Sequence, residues 1–161
     1  MNVWNRIVAG LCVLVVVAVA TPVAWSETAT PYAGTEVRKT SLTFGDLRRR
    51  LEAAIAKNGM FVVTSASASA GAKARGLTIP GNMVLGVFRN DFAVRMLEAS
   101  VPAGIEAPLR FYLTENADGT ATLTYRTPGA VFAPYGNAML DAMAKELDAL
   151  WAKIVQDTLG P

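Results

Sequence analysis

Leu109-Arg-Phe-Tyr-Leu-Thr-Glu115, Asn116-Ala-Asp-Gly119 and Thr120-Ala-Thr-Leu-Thr-Tyr-Arg126 decide the fold. Leu109, Phe111 and Leu113 alternate with Arg110, Tyr112 and Thr114, the period-two pattern of a strand with one buried face. Asn-Ala-Asp-Gly supplies the turn, because Gly tolerates positive φ and Asp bonds the backbone that follows it. The second segment alternates back. A hairpin is predicted, with Arg110, Tyr112, Thr124 and Arg126 on the face opposite the core.

Upstream, Met83 to Phe88 is a near-continuous apolar run, which reads as a strand buried on both faces. Thr35 to Leu42 and Met60-Phe-Val-Val63 read as two further strands. Between them Phe44, Leu47, Leu51 and Ile55 recur at helical spacing, opened by a Thr43-to-Asp46 cap and closed by Asn58-Gly59. A short helix is expected over Ala70 to Arg75, capped by Gly76. Another is expected over Asp91 to Ala99, with Asn90 or Asp91 as its cap and Phe92, Met96 and Leu97 inward. Downstream, Met139, Met143, Leu147, Leu150, Trp151 and Ile154 form the stripe of a long helix from about Pro134 to Leu159. The expected fold class is α+β, an antiparallel sheet with two main helices on one face, forming one domain over residues 35–160.

Composition narrows the chemistry. The 161 residues are 52% hydrophobic and include no histidine and one cysteine. That excludes a histidine-based triad, a Cys–His nucleophile, a Cys/His zinc site and a haem-attachment motif within this chain. Fifteen basic against thirteen acidic side chains leave a net charge of +2. Apart from Arg48-Arg49-Arg50, which fans out around a helix, the basic residues are scattered. Nucleic acid is not expected as a partner, since it needs a clustered positive footprint.

The N-terminal segment reads as an address. Ile7 to Ala20 is an apolar run of fourteen residues, about 20 Å as a helix and short of the ~30 Å hydrocarbon core. Pro22 interrupts it, and Ala24-Trp-Ser26 matches the small-residue pattern of a cleavage site before Glu27. Residues 1–26 are expected to be a signal peptide carrying Cys12, and residues 27–34 a flexible spacer. The expected location is the periplasm or outside the cell, with membrane contact only through an uncleaved leader.

Several stretches in order resemble a known bacterial family. They are Leu47 to Ile55 running into Asn58-Gly-Met-Phe-Val-Val63, then Ala72-Lys-Ala-Arg-Gly-Leu-Thr-Ile-Pro80 and Leu85-Gly-Val-Phe-Arg-Asn90. Pro108-Leu-Arg-Phe-Tyr-Leu113, Asp118-Gly119, Leu123-Thr-Tyr125 and the terminal helix complete the succession. The family is domain of unknown function 302, and the resemblance covers residues 37–158. It implies a strand–helix–four-strand–helix order similar to half of a TATA-box-binding protein, commonly dimeric, with no implication of nucleic-acid binding. Relatives usually carry an Asp-His pair where this chain has Ser67 and Ala68. An activity resting on that histidine would be absent here.

No constellation in the chain spells out an acid–base couple. Glu98, Glu106, Glu115 and Asp118 are read as solvated carboxylates. Met139 and Met143, with Met83 or Met96, offer thioethers to copper(I), against the reading of core packing. Phe88, Asn90, Arg110, Tyr112, Tyr125 and Arg126 are the candidate binding residues, for a small anionic ligand, an envelope protein or a second copy of the chain. No catalytic residue, metal ligand set or cofactor is assigned. The expected function is a non-enzymatic binding module. The alternatives are an enzyme built on carboxylates, Arg and Tyr, or a Met-ligated metal or cofactor carrier.

Overall fold

The computed structural model describes residues 32–160; the predicted leader and most of the spacer lie outside them. Five strands form one antiparallel sheet: β1 (Thr35–Thr43), β2 (Phe61–Ala66), β3 (Asn82–Phe88), β4 (Leu109–Glu115) and β5 (Thr120–Arg126). Their spatial order is β1-β5-β4-β3-β2. The helices are α1 (Phe44–Lys57), α2 (Ala68–Ala74), α3 (Asn90–Ala99), α4 (Pro128–Phe132) and α5 (Ala138–Leu159). The fold is therefore α+β, with the strand–helix–four-strand–helix order expected and three shorter helices inserted.

The core lies between one sheet face and the two long helices. Leu85, Phe111, Leu113 and Leu123 point from the sheet toward Leu47, Leu51 and Ile55 of α1 and Leu140, Trp151 and Ile154 of α5, all essentially inaccessible to solvent. Trp151 stacks on Phe111 with ring centroids 5.4 Å apart and planes 14° from parallel. Polar links pin the layer at its rim. Asp157 accepts from Lys57 Nζ at 2.7 Å and from Asn58 Nδ2 at 2.8 Å, tying the C-terminal ends of α1 and α5. Asp148 on α5 accepts the Gly129 N–H at 2.9 Å and so holds the start of α4.

Several local expectations need correction. The last helix starts at Ala138, not near Pro134. Gly136 adopts the left-handed conformation (φ 57°) and Asn137 then caps the helix, its side chain accepting from Met139 and Leu140 N–H. Pro134 sits instead in a 3₁₀ turn over Ala133–Tyr135. Met139 points outward, 62% exposed, because Leu140 takes the inward place in that first turn. Leu97 is likewise exposed, while Phe92 and Met96 face the core. The N-cap of α3 is Arg89, without a side-chain cap bond, rather than Asn90 or Asp91. Met60 precedes β2 and is buried; the strand itself runs from Phe61. In β3 only Leu85, Gly86 and Val87 are fully buried.

The acidic residues are less idle than solvation alone implies. Glu115 accepts the Gly81 N–H at 2.7 Å, and Glu106 accepts from the Tyr135 hydroxyl at 3.1 Å. Glu146 is held below the usual carboxylate range by its hydrogen bonds from Arg95, and Asp157 by those from Lys57 and Asn58. Asp46, Asp91 and Asp118 are lowered too, chiefly by Thr43, Arg89 and Thr120 respectively. A carboxyl lowered on folding contributes stability above its unfolded pKa and loses it as pH falls through the folded one. At the alkaline end, burial raises Tyr125, whose contribution is present below its unfolded pKa and lost as pH rises through the folded one. No histidine titrates between. We predict a flat denaturation midpoint from about pH 5 to 9, falling below about pH 4 and above about pH 10. Urea melts across pH check this; a step between pH 6 and 7 would contradict it.

Candidate functional site

The two long helices cover one sheet face, and the register arranges the other into rows that cross the strands. One row runs Ala66, Val84, Tyr112, Thr124 and Val37, crossing all five strands. On one side of it lie Thr64, Gly86 and Arg110, with Arg126 beside Thr35. On the other lie Asn82, Thr114, Thr122 and Lys39. The central row is the least polar of the three. Its Tyr112 and Val37 are 42% and 46% exposed, an unusual placement for large apolar side chains in the middle of a regular sheet.

Arg110 and Tyr112 are two residues apart on β4 and share this face. Among the described residues neither side chain makes a hydrogen bond or an ion pair. Arg126 is more engaged: it donates to the Ala130 carbonyl at 3.2 Å and lies 5.4 Å from the Tyr32 ring. Its Nε is nevertheless buried without a partner. Phe88 ends β3, is paired in register with the exposed Phe61 and borders a small cleft at the end of the core. Asn90 begins α3 past the end of that strand and is exposed.

Tyr125 belongs elsewhere. It pairs with Phe111 in register, and the two rings lie 5.4 Å apart on the helix-covered face. Burial raises its pKa, with Glu36 adding to the shift and Arg38 opposing it. The six candidate residues thus divide: Arg110, Tyr112 and Arg126 share the open face, Phe88 borders the cleft at the end of the core, Asn90 lies beyond the sheet's edge, and Tyr125 is beneath it. Sequence reasoning missed Val37, Val84 and Ala66, which complete the central row.

Ser67 and Ala68, at the positions of the relatives' Asp-His pair, open α2. The Ser67 hydroxyl caps the Ala70 N–H at 3.1 Å, and Asn82 Oδ1 accepts from Ala68 N at 2.9 Å. Their work here is to hold α2 on β3. Among the described residues no three Cys, Asp or Glu side chains gather to hold a metal ion. No helix among them is long and apolar enough to cross a membrane.

A small cleft opens at one end of the core, where α3 approaches α5. Met60, Met96 and Met143 line it together with Phe92, Phe132 and Arg89. Its free volume is about 30 Å³, room for about two water molecules. The methionines expected as a group are separated: Met143 and Met96 both line this cleft, Met139 points to solvent, and Met60 takes a place that no helical spacing suggests.

A five-stranded antiparallel sheet packed by α1 and α5 on one side, with an open apolar row on the other, defines a small two-layer α+β domain. The family model described as Domain of unknown function DUF302 matches residues 36–158, and the chain belongs to that family. The fold is similar to the crystal structure of an uncharacterized conserved DUF302 protein from Bacillus stearothermophilus. The TM-score is 0.69 at 17% identity, covering 78% of this chain and 98% of that one. No curated protein matches the chain.

Proposed function

We propose that this is an exported, non-enzymatic binding module whose open sheet face packs against a second copy of the chain. The observation that carries the reading is the row Ala66–Val84–Tyr112–Thr124–Val37, flanked on both sides by polar and charged positions. Interfaces have this layout, an apolar centre rich in aromatic side chains inside a polar rim. A two-fold axis through the face sets each tyrosine against the partner's row, with Arg110 at the rim. Export is supported by the apolar run Ile7–Ala20 and the Ala24-Trp-Ser26 segment.

Light scattering on the purified protein should report a dimer. Tyr112→Glu should weaken self-association by about 30-fold or more, as loss of a central aromatic costs about 2 kcal/mol or more. Because the Tyr112 side chain is exposed and makes no hydrogen bond among the described residues, the variant's melting should change little once dissociation is allowed for. A strictly monomeric wild type would sink the reading.

A second reading rests on Arg110. Its unpartnered guanidinium lies on the same face as the Arg126 side chain, whose Nε also lacks a partner. A small anion or a partner's carboxylate would satisfy such groups. Native mass spectrometry that shows a bound anion lost in Arg110→Gln would favour this over self-association.

A further inference from the structure

From the cleft at the end of the core we infer that Met60, Met96 and Met143 form a thioether site for one soft monovalent cation, copper(I) by chemical class. The three side chains come from distant parts of the chain: the residue before β2, α3 and α5. They are 3%, 4% and 2% exposed, yet all border the same free volume of about 30 Å³. That space, room for about two waters, admits a dehydrated ion and is small for a drug-sized organic ligand. Thioether sulfur is a soft, uncharged donor, so three of them favour copper(I) over harder or divalent ions. The remaining wall includes Phe92 and Phe132, an apolar shell that disfavours the more highly charged copper(II).

Two guanidinium groups stand near the site, and their charge decides how tight it is. Arg89 lies 4.3 Å from the Phe92 ring centroid and Arg95 lies 5.4 Å from it. Each is neutralised by its own carboxylate. Arg89 donates to both oxygens of Asp91 at 2.7 and 3.0 Å, and Arg95 to both oxygens of Glu146 at 2.8 and 2.6 Å. Local net charge is therefore zero, and a monovalent ion meets no uncompensated cation. Replacing Arg89 by Gln leaves Asp91 unneutralised beside the mouth of the cleft. Binding should then tighten, an effect that a merely structural role for these methionines does not produce.

The test is independent of the sheet-face reading and uses the full chain with Cys12→Ser, which removes its thiol. Copper(I) is titrated without oxygen against a chromophoric chelator, and silver(I) adducts are counted by native mass spectrometry. One equivalent should bind, and X-ray absorption should report a sulfur-only first shell. Met60→Leu and Met96→Leu, close in volume to the residues they replace, should each weaken binding by about tenfold or more, since each removes one of three donors. Met139→Leu should leave it unchanged, and Arg89→Gln should strengthen it several-fold. No retained ion, a first shell containing nitrogen or oxygen alone, or equal binding in the cleft variants and Met139→Leu would each overturn the proposal.

Discussion

Trp151→Ala should lower the stability of the domain by about 3 to 5 kcal/mol, the usual loss for an aromatic side chain cut out of a packed core. Trp151 is 1% exposed and lies at the contact between the two layers, stacked on Phe111 from β4. Phe111 in turn meets Tyr125, so one ring column joins α5, β4 and β5. Removing its largest member leaves a void that α5, tied at its C-terminal end to α1 through Asp157, cannot close by sliding. The thermal midpoint should drop by roughly 10 to 20 °C in a domain of this size. The indole adds a twist: its Nε1 is buried with no hydrogen-bond partner, and an unsatisfied buried donor carries a desolvation cost. Trp151→Phe keeps most of the ring and removes that donor. It should therefore cost under about 2 kcal/mol. If Phe proved as damaging as Ala, the indole nitrogen would have to make a contact that counts.

Much of this arrangement was legible in the residues, and the exceptions have physical causes. The hairpin from Leu109 to Arg126 declares itself because alternation is local: each strand needs only its own period of two. The same is true of α1, whose cap, stripe and Asn58-Gly59 stop are all within one segment. Register across separate strands is not local. Whether Val37 lies beside Thr124 depends on how β1 docks on β5, and Ala66 reaches its row only past an irregularity between Val62 and Thr64. A list of apolar positions cannot supply that. Tyr125, a candidate by residue type, shares the parity of Leu123 and so lies against Phe111 beneath the sheet rather than on the open face. The start of α5 is a different case: Gly136-Asn137 carries both a stop and a cap. Apolar periodicity read alone runs past both and turns Met139 inward, where the structure has it exposed. Met60, Met96 and Met143 come to one cleft only in three dimensions.

The middle of the open face contains a position where the smallest change should have a large effect. Gly86 lies on β3 between Thr64 of β2 and Arg110 of β4. Its φ is not in the left-handed region, so backbone freedom does not explain the glycine. Space does. A Cβ on residue 86 would fall inside the Thr64 hydroxyl and lie 2.8 Å from Cγ and 3.3 Å from Cβ of Pro108. Neither approach is tolerable without movement. Thr64 is on an exposed edge strand and can rotate about its χ1, but the Pro108 ring is fixed to the backbone entering β4. Gly86→Ala should therefore cost about 1 to 3 kcal/mol by overpacking, despite the usual preference of strands for Ala over Gly. The double variant Gly86→Ala with Thr64→Ala should recover part of the loss and no more, because the proline contact persists. The non-additivity, measured by a cycle of denaturation midpoints, reports how much of the strain belongs to each neighbour. Full recovery in the double variant would mean that Pro108 yields freely; no loss in the single variant would mean that β2 is not held against β3 at this point. Either result bears on the open face directly, since Thr64, Gly86 and Arg110 form the polar row beside Tyr112.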